Sequence, residues 1–509
     1  MEPAMTMDAA VNFALYCLPR PTVTSAATFA VAEGEGHHGK DHISALPDDL
    51  LRDVVSRLPI RDAVRTTTLS TRWRDIWRYA PLILFDQHIS ASTQPEHVAA
   101  INSVLASHMG PLRAVHLALC DFNNHEPELA EWPEILAGRG VQDLVFINLP
   151  MTLDRPLPAS ILRCDKLCRL YLGFWKFPDT TNLPAADFPQ LQELAILGVL
   201  MEDLDLDHML ASSPALEKLA LVMSYLPKHV RLLSQNLKCV IIYCSTAVEV
   251  VVAATPCLER LIMWKMCPYT EINESEDSHV GVRIVEVEGA PALKVLGYLD
   301  TRVHQLRFGD NTIIKVQADT DMKASPICRV PSVKILAMKV NLNVFAEVQM
   351  LPSFLRCFPS IQVLHIESAV SDESSGDHNP EFFEKLISPI ECVQLHIKEV
   401  FLYQFQGHQS EMTLLKYLAL RANQMQKLTL VLPYEELDSE GENDFKVLLG
   451  DLLNPEWASE DCTILVLRPS AKVLCCFHTE FDLSIEDPFL LNDGKELFSV
   501  IKKREQDAN

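Results

Sequence analysis

Residues 46–77 read LPDDLLRDVVSRLPIRDAVRTTTLSTRWRDIW, and this stretch decides how the chain begins to fold. Pro47 suits a first helical position, where its missing N–H costs nothing, and Asp48 and Asp49 meet the positive end of the helix dipole. Leu50, Leu51, Val54, Val55 and Leu58 recur at three- and four-residue spacings and form one apolar stripe. Pro59 ends that helix and permits a second, with Ile60, Ala63, Val64 and Thr67 on one side. Ser70 is the expected N-cap of a third helix, on which Trp73, Ile76 and Trp77 share a face before Pro81 stops it. A unit of about 40 residues cannot hold a stable core unaided. Its density of Leu, Val and Trp therefore predicts either a partner surface or packing onto the following domain.

After this unit one phrase returns, apolar-x-x-apolar-x-apolar. It reads LRAVHL at Leu112, VQDLVF at Val141, LCRLYL at Leu167, LQELAI at Leu191 and LEKLAL at Leu216. It continues as LKCVII at Leu237, LERLIM at Leu258, LKVLGY at Leu293, VKILAM at Val333 and IQVLHI at Ile361. The successive intervals are 29, 26, 24, 25, 21, 21, 35, 40 and 28 residues. Spacings in the twenties are those of leucine-rich repeats, in which each unit gives one strand to a parallel sheet and stacked units bury a shared core. The longer intervals imply insertions, and TEINESEDSH (270–279) and SDESSGDHNP (371–380) are the acidic candidates. No Asn closes each turn, so the expected solenoid is irregular.

From Cys392 to Leu432 the pattern predicts a strand (His396–Phe405), a turn at Gly407, a helix (Glu411–Ala422) and a strand (Met425–Leu432). Leu414, Leu415, Leu418 and Ala422 share one face of that helix. Cys462–Leu467 reads as a final strand, and Glu496–Ile501 as a short helix before a charged end.

The 46–77 stretch, with its two Leu-Pro steps and its Ser-x-x-Trp-Arg-x-x-Trp ending, resembles the F-box, which docks proteins onto a Skp-type adaptor of a cullin ubiquitin ligase. Thr68 and Arg61 depart from the usual pattern of that family. The later strand–helix–strand is similar to the FBD domain through Ile397–Val400, Phe405 with Gly407, Leu414–Leu418 and Gln424–Thr429. The order resembles the plant F-box/FBD/LRR-repeat family across residues 42–460. The expected class is α/β: a small three-helix F-box, an irregular leucine-rich-repeat solenoid and an FBD-type strand–helix–strand unit. The expected segments are 1–41 (flexible), 42–85 (F-box), 86–390 (repeats), 391–468 (FBD-like) and 469–509 (tail).

Composition narrows the function. Net charge is −24, yet residues 41–80 hold seven Arg against six Asp, so the remainder stands near −25. That disfavours nucleic acid and anionic membrane surfaces as partners. Fourteen cysteines lie without a repeating framework; Cys164 with Cys168 and the adjacent Cys475 and Cys476 approach most closely. Reduced thiols in cytoplasm or nucleus follow. Residues 1–32 have no basic start and read poorly as a secretory signal. His37 and His38 sit in a Gly-rich linker, where solvation rather than metal binding is expected. No phosphate loop, nucleophile elbow or zinc-helix motif is present, so neither a cofactor nor catalysis is expected.

The resemblance implies a substrate receptor. It assigns adaptor contact to Leu46, Pro47, Leu50, Leu51, Val54, Leu58, Pro59, Leu69, Trp73 and Trp77, some of which must instead hold the helices together. Target contact falls to side chains between the core positions of the repeat strands: Arg169, Tyr171, Glu193, Lys218, Arg260, Trp264, Lys339 and His365. Two other functions stay open from sequence, a repeat scaffold with no ligase role and a co-receptor for a neutral small molecule.

Overall fold

The computed structural model describes residues 18–19, 43, 45–89, 91–149, 152–178, 187–224, 226–245, 247–264, 284–301, 304–307, 313–314, 329–368, 382–383, 389–433, 450, 457–459, 461–469, 480–490 and 494–503. The expected insertions at 270–279 and 371–380, the linker at 33–40, and Cys475 and Cys476 lie outside them. The chain forms two compact units, residues 5–228 and 229–509.

The N-terminal unit opens with three helices, α1 (Asp48–Ser56), α2 (Ile60–Arg65) and α3 (Thr71–Tyr79). Pro47 and Pro59 stand at the N-caps of α1 and α2, as their fixed φ favours. Ser70 does occupy the N-cap of α3, but its side chain makes no capping bond there. Arg72 anchors the helix instead: its guanidinium donates to Asp48 at 2.6 Å and to the Leu46 carbonyl at 2.6 Å, tying α3 to the start of α1. Thr66, Thr67 and Thr68 extend α2 by a 3-10 turn, each hydroxyl bonding the carbonyl three residues back at 2.6–2.8 Å.

Six parallel strands follow, β1 (Leu82–Phe85), β2 (Leu112–Leu117), β3 (Asp143–Ile147), β4 (Arg169–Gly173), β5 (Glu193–Leu197) and β6 (Lys218–Val222), paired in chain order. Helices α4 (Gln94–Ser107), α5 (Glu126–Gly138) and α6 (Asp203–Ala211) connect them. In the C-terminal unit, β7 (His229–Leu233), β9 (Glu249–Ala254), β11 (Ile284–Val287) and β13 (Gln305–Arg307) form a parallel sheet, with β14 (Ile313–Ile314) antiparallel at its edge. A second ladder takes β8 (Cys239–Tyr243), β10 (Arg260–Trp264), β12 (Val295–Asp300), β15 (Ile335–Val340), β16 (Val363–Ser368), β17 (Glu399–Tyr403), β18 (Lys427–Val431) and β19 (Asp461–Pro469), all parallel. Finally β20 (Gly494–Lys503) pairs antiparallel with β19. Residues 496–501, read from sequence as a helix, are therefore strand. Pairing with the open edge of β19 satisfies a row of backbone groups that an isolated short helix would leave to solvent.

All ten phrases are strands, and the leading positions Leu167, Leu191, Leu216, Leu237, Leu258, Leu293, Val333 and Ile361 are fully buried. The return legs are of two kinds, helical and strand. Intervals of 29, 25 and 28 residues hold α5, α6 and α7 (Phe345–Cys357). The 21-residue interval between the β8 and β10 phrases returns through strand β9, and the 35-residue interval between the β10 and β12 phrases through strand β11, so strand returns occur at both short and long spacings. The corner that an Asn would have closed is turned by a left-handed residue directly after the strand: Phe174, Gly198, Met223, Cys244 and Gln404 have φ from +49° to +59°. Each non-glycine there costs about 1–2 kcal/mol, recovered in part because the same residue prolongs the ladder. Phe174 N–H donates to Leu197 O at 2.9 Å and Cys244 N–H to Trp264 O at 3.1 Å.

In the FBD-type region, α8 (Glu391–Leu395) precedes β17, and α9 (Gln409–Arg421) joins β17 to β18. Glu411 is buried and caps α9 by accepting from Gln406 N–H and His408 N–H at 3.1 and 2.9 Å. Leu414, Leu415, Leu418 and Ala422 are buried, as their shared face requires.

Candidate partner-docking faces

The three-helix unit has an inner and an outer set of apolar side chains. Leu51, Val55, Ala63, Trp73, Ile76, Trp77 and Ala80 form its core, with Leu46 and Leu58 half-buried against it. Of the residues expected to touch the adaptor, Leu51, Trp73 and Trp77 are thus enclosed by the chain itself. The ring of Trp77 also packs edge-on against His108, 5.5 Å away. The outer set is Pro47, Leu50, Val54 and Leu69, joined by Val64; Leu50 is 52% exposed, Val54 41% and Leu69 64%. Leu50 and Val54 lie one helical turn apart, so they share one face of α1. Pro59 is intermediate. Truncating the inner set should break the unit: Leu51→Ala is expected to cost about 2–5 kcal/mol. Hydrogen exchange of 48–79 would rise, and unchanged protection there would refute this division of roles.

On the strand face of the N-terminal unit, Asp143, Arg169, Glu193 and Lys218 occupy one register position on β3 to β6. Their charges alternate, and they pair with one another: Arg169 with Asp143, and Lys218 with Glu193 at 3.5 Å. Tyr171, expected on an open face, is fully buried and donates its hydroxyl to Glu193. Burial, then the Glu193 carboxylate, holds that phenol protonated well beyond its usual range. Burial lifts the Asp143 carboxyl to about 6, with Arg169 pulling against it.

Two histidines of this unit are held neutral. Burial takes His108 down to about 4 and His116, packed on Phe85, down to about 3. Below pH 6.5 the unfolded chain binds protons at both positions that the native unit refuses, so stability falls as pH drops from about 6.5 toward 4. Asp143 works the other way, taking its proton near pH 6 in the native unit, and offsets one of the two. The net loss by pH 4.5 is expected at about 3 kcal/mol. Thermal melts of the chain from pH 7 to 4.5 test it; a flat profile would exclude the assignment.

In the C-terminal unit the corresponding face is covered. Arg260 is buried, donating to the carbonyls of Glu480 (2.8 Å), Asp482 (3.1 Å) and Ile485. His365 is also buried, with Nε2 at 2.9 Å from Asp487 and Nδ1 at 3.1 Å from the Tyr403 hydroxyl, which itself donates to Phe489 O at 2.8 Å. Trp264 packs edge-on to Tyr298 at 4.5 Å, and the Phe489 ring rests on both. Lys339 pairs with Glu367 at 3.5 Å. Arg260 and His365 were expected on an open face; residues 480–489 close over them. Sequence reading missed this segment together with Tyr298, Phe401 and Tyr403. Its only cue was the apolar spacing of Phe481, Ile485 and Phe489 in a stretch of no repeat phrase.

Asp86, His97 and Cys120 lie buried within 4.8 Å of one another by their ligating atoms. One oxygen of Asp86 accepts from Ala118 N–H and Leu119 N–H at 2.6 and 2.7 Å, a role in holding the first repeat corner. Burial raises the thiols of Cys164, Cys392 and Cys462 to about 12 and that of Cys120 further, which suits inert core cysteines. The nine cysteines among the described residues are all thiols. No helix among the described residues is long and apolar enough to cross a membrane.

Three family models match the chain: the F-box domain over residues 43–84, the LRR repeats of an FBD-associated F-box protein over 129–366, and FBD over 385–430. An F-box/FBD/LRR-repeat protein of Arabidopsis thaliana is 25% identical over 444 residues, spanning 84% of this chain and 97% of the relative. A second protein of that description from the same plant is 24% identical over 494 residues, spanning 85% and 98%. An F-box/LRR-repeat protein of that plant is 30% identical over 185 residues, spanning 35% of this chain and 59% of its own length.

Proposed function

From a chain that carries the F-box, leucine-rich repeats and FBD of the plant F-box/FBD/LRR-repeat proteins in their order, we propose a substrate-receptor subunit of an SCF-type cullin–RING ubiquitin ligase. The F-box, residues 42–85, binds a Skp-type adaptor and through it the cullin. The repeats, residues 86–390, with the FBD-like unit at 391–468, hold a target protein. The chain supplies no chemistry of its own and works in the cytoplasm or nucleus. The observation that carries this reading is the outer apolar set Pro47, Leu50, Val54 and Leu69, left uncovered on helices whose opposite sides are buried. Exposed apolar side chains grouped on so small a unit are what an obligate partner would cover.

Purified chain mixed with a Skp-type adaptor should elute as a 1:1 complex on size exclusion and carry cullin with it. Separate elution at micromolar concentrations would end the proposal.

A further inference from the structure

We propose that the strand face of the C-terminal unit from β10 to β17 is a peptide-binding site. It takes a turn-forming segment that offers a carboxylate one residue before a proline and an aromatic ring after it. Residues 480–489 of the chain are its resident occupant, which a target segment of the same chemistry replaces. The inference rests on the reading that this chain holds a target, and it specifies the site and the kind of segment.

The contacts have the character of recognition rather than of sheet building. The segment adds no strand to the ladder. It is held by side chains of the face reaching for its backbone and for the buried carboxylate of Asp487. Arg260, a buried cation, spends its guanidinium on three carbonyls of a single turn. That reads the path of a chain and not its sequence, so a foreign segment folded the same way would satisfy it equally. The turn is made locally: Ser484 donates its N–H and hydroxyl to Asp482 at 3.0 and 2.6 Å, and Ile485 N–H donates to Asp482 O at 3.1 Å.

The second half of the segment carries the chemical choice. His365 presents Nε2 to Asp487 at 2.9 Å, while the other Asp487 oxygen accepts from Phe489 N–H at 3.0 Å. Phe489 then enters an aromatic box of Trp264, Tyr298 and His365, at 6.5, 5.2 and 5.4 Å between ring centroids. Asp487, Pro488 and Phe489 are buried, whereas Asp482, Ser484, Glu486 and Leu490 face outward. Aromatic and Arg anchors in an enclosed pocket are the usual carriers of interface affinity. They belong here to side chains 122 to 225 residues away from the segment in sequence.

The test uses the full chain with Asp487→Ala and Phe489→Ala, together with a fluorescent peptide of sequence EFDLSIEDPFL (residues 480–490). A tethered occupant present most of the time lowers the apparent affinity of a free competitor by the unoccupied fraction, here about 10- to 100-fold. The peptide should therefore bind the double variant at least about tenfold more tightly than the wild type. Adding Arg260→Ala or His365→Ala to the variant should abolish that binding. Excess peptide should also raise hydrogen exchange at 480–489 of the wild type. Absence of peptide binding to a folded double variant overturns the inference. So does a double variant that fails to fold, because the segment would then be an integral part of the core. Adaptor binding is scored on the same samples: intact adaptor capture without peptide binding overturns this inference alone, and absent capture by the wild type overturns the reading beneath it.

Discussion

Leu50→Asp combined with Val54→Asp lowers capture of a Skp-type adaptor by at least about 100-fold and leaves the melting temperature within about 2 °C of wild type. Both side chains project from one face of α1 and contribute little to the trio, being half-exposed in the free chain. Surface changes of this kind usually stay within about 0.5 kcal/mol of wild-type stability. Covering a leucine and a valine beneath a partner is worth about 1.5–3 kcal/mol each, and setting two carboxylates in their place adds a desolvation cost. A loss of about 3 kcal/mol already exceeds two decades in affinity. The pair is a cleaner probe than Leu46 with Pro47. Leu46 is half-buried against the core and its carbonyl accepts Arg72 at 2.6 Å, so changes there would loosen the unit as well as its surface. Pull-down with purified adaptor and a thermal melt on the same sample decide the matter. Full capture by the double variant would remove α1 from the docking face.

Trp175→Ala should be the most damaging single truncation in the N-terminal unit, at about 4 kcal/mol or more. Trp175 is fully buried, stacked on Phe146 with centroids 4.8 Å apart and planes 7° from parallel, and 5.6 Å from Phe122. Its Nε1–H donates to the Phe146 carbonyl at 2.9 Å. Truncation leaves a cavity worth about 3–5 kcal/mol, forfeits about 0.5–1.5 kcal/mol of ring pairing and deprives a buried carbonyl of its donor. Against a total of about 5–15 kcal/mol, little stability would remain. Trp264→Ala offers the contrast: that ring is only half-buried and lies over the strand face, so about 1–2 kcal/mol is expected. Denaturant midpoints of the two variants should differ clearly; equal midpoints would show that the Phe122–Phe146–Trp175 cluster is not the anchor of its repeats.

Much of this was legible in the sequence because the deciding signals are local. Leucines at 167, 191, 216, 237, 258 and 293 mark strand starts by themselves, since an L-x-x-L-x-L phrase has only one way to bury its apolar positions in a stacked repeat. The sheet of β7, β9, β11 and β13 was missed although its alternation is visible in His229–Leu233, where Val230 and Leu232 turn inward. Short strands that return behind a repeat carry no recurring phrase, and their spacing varies with every insertion. The division of the F-box residues was also out of reach. Leu50 and Leu51 are neighbours of the same type, and only the packing of the helices on one another leaves one outward and the other in the core.

The sequence by itself determined the order of modules, the ten repeat strands and the three helices ahead of them, because periodicity and proline placement act within a few residues. Tertiary structure alone decided what stands on the strand faces. Asp143, Arg169, Glu193 and Lys218 become a ladder of alternating charge only when four strands come into register. Arg260 meets Glu480 across 220 residues of chain. No local pattern records such a meeting, since each partner is compatible with many neighbours and the closure of the face selects one.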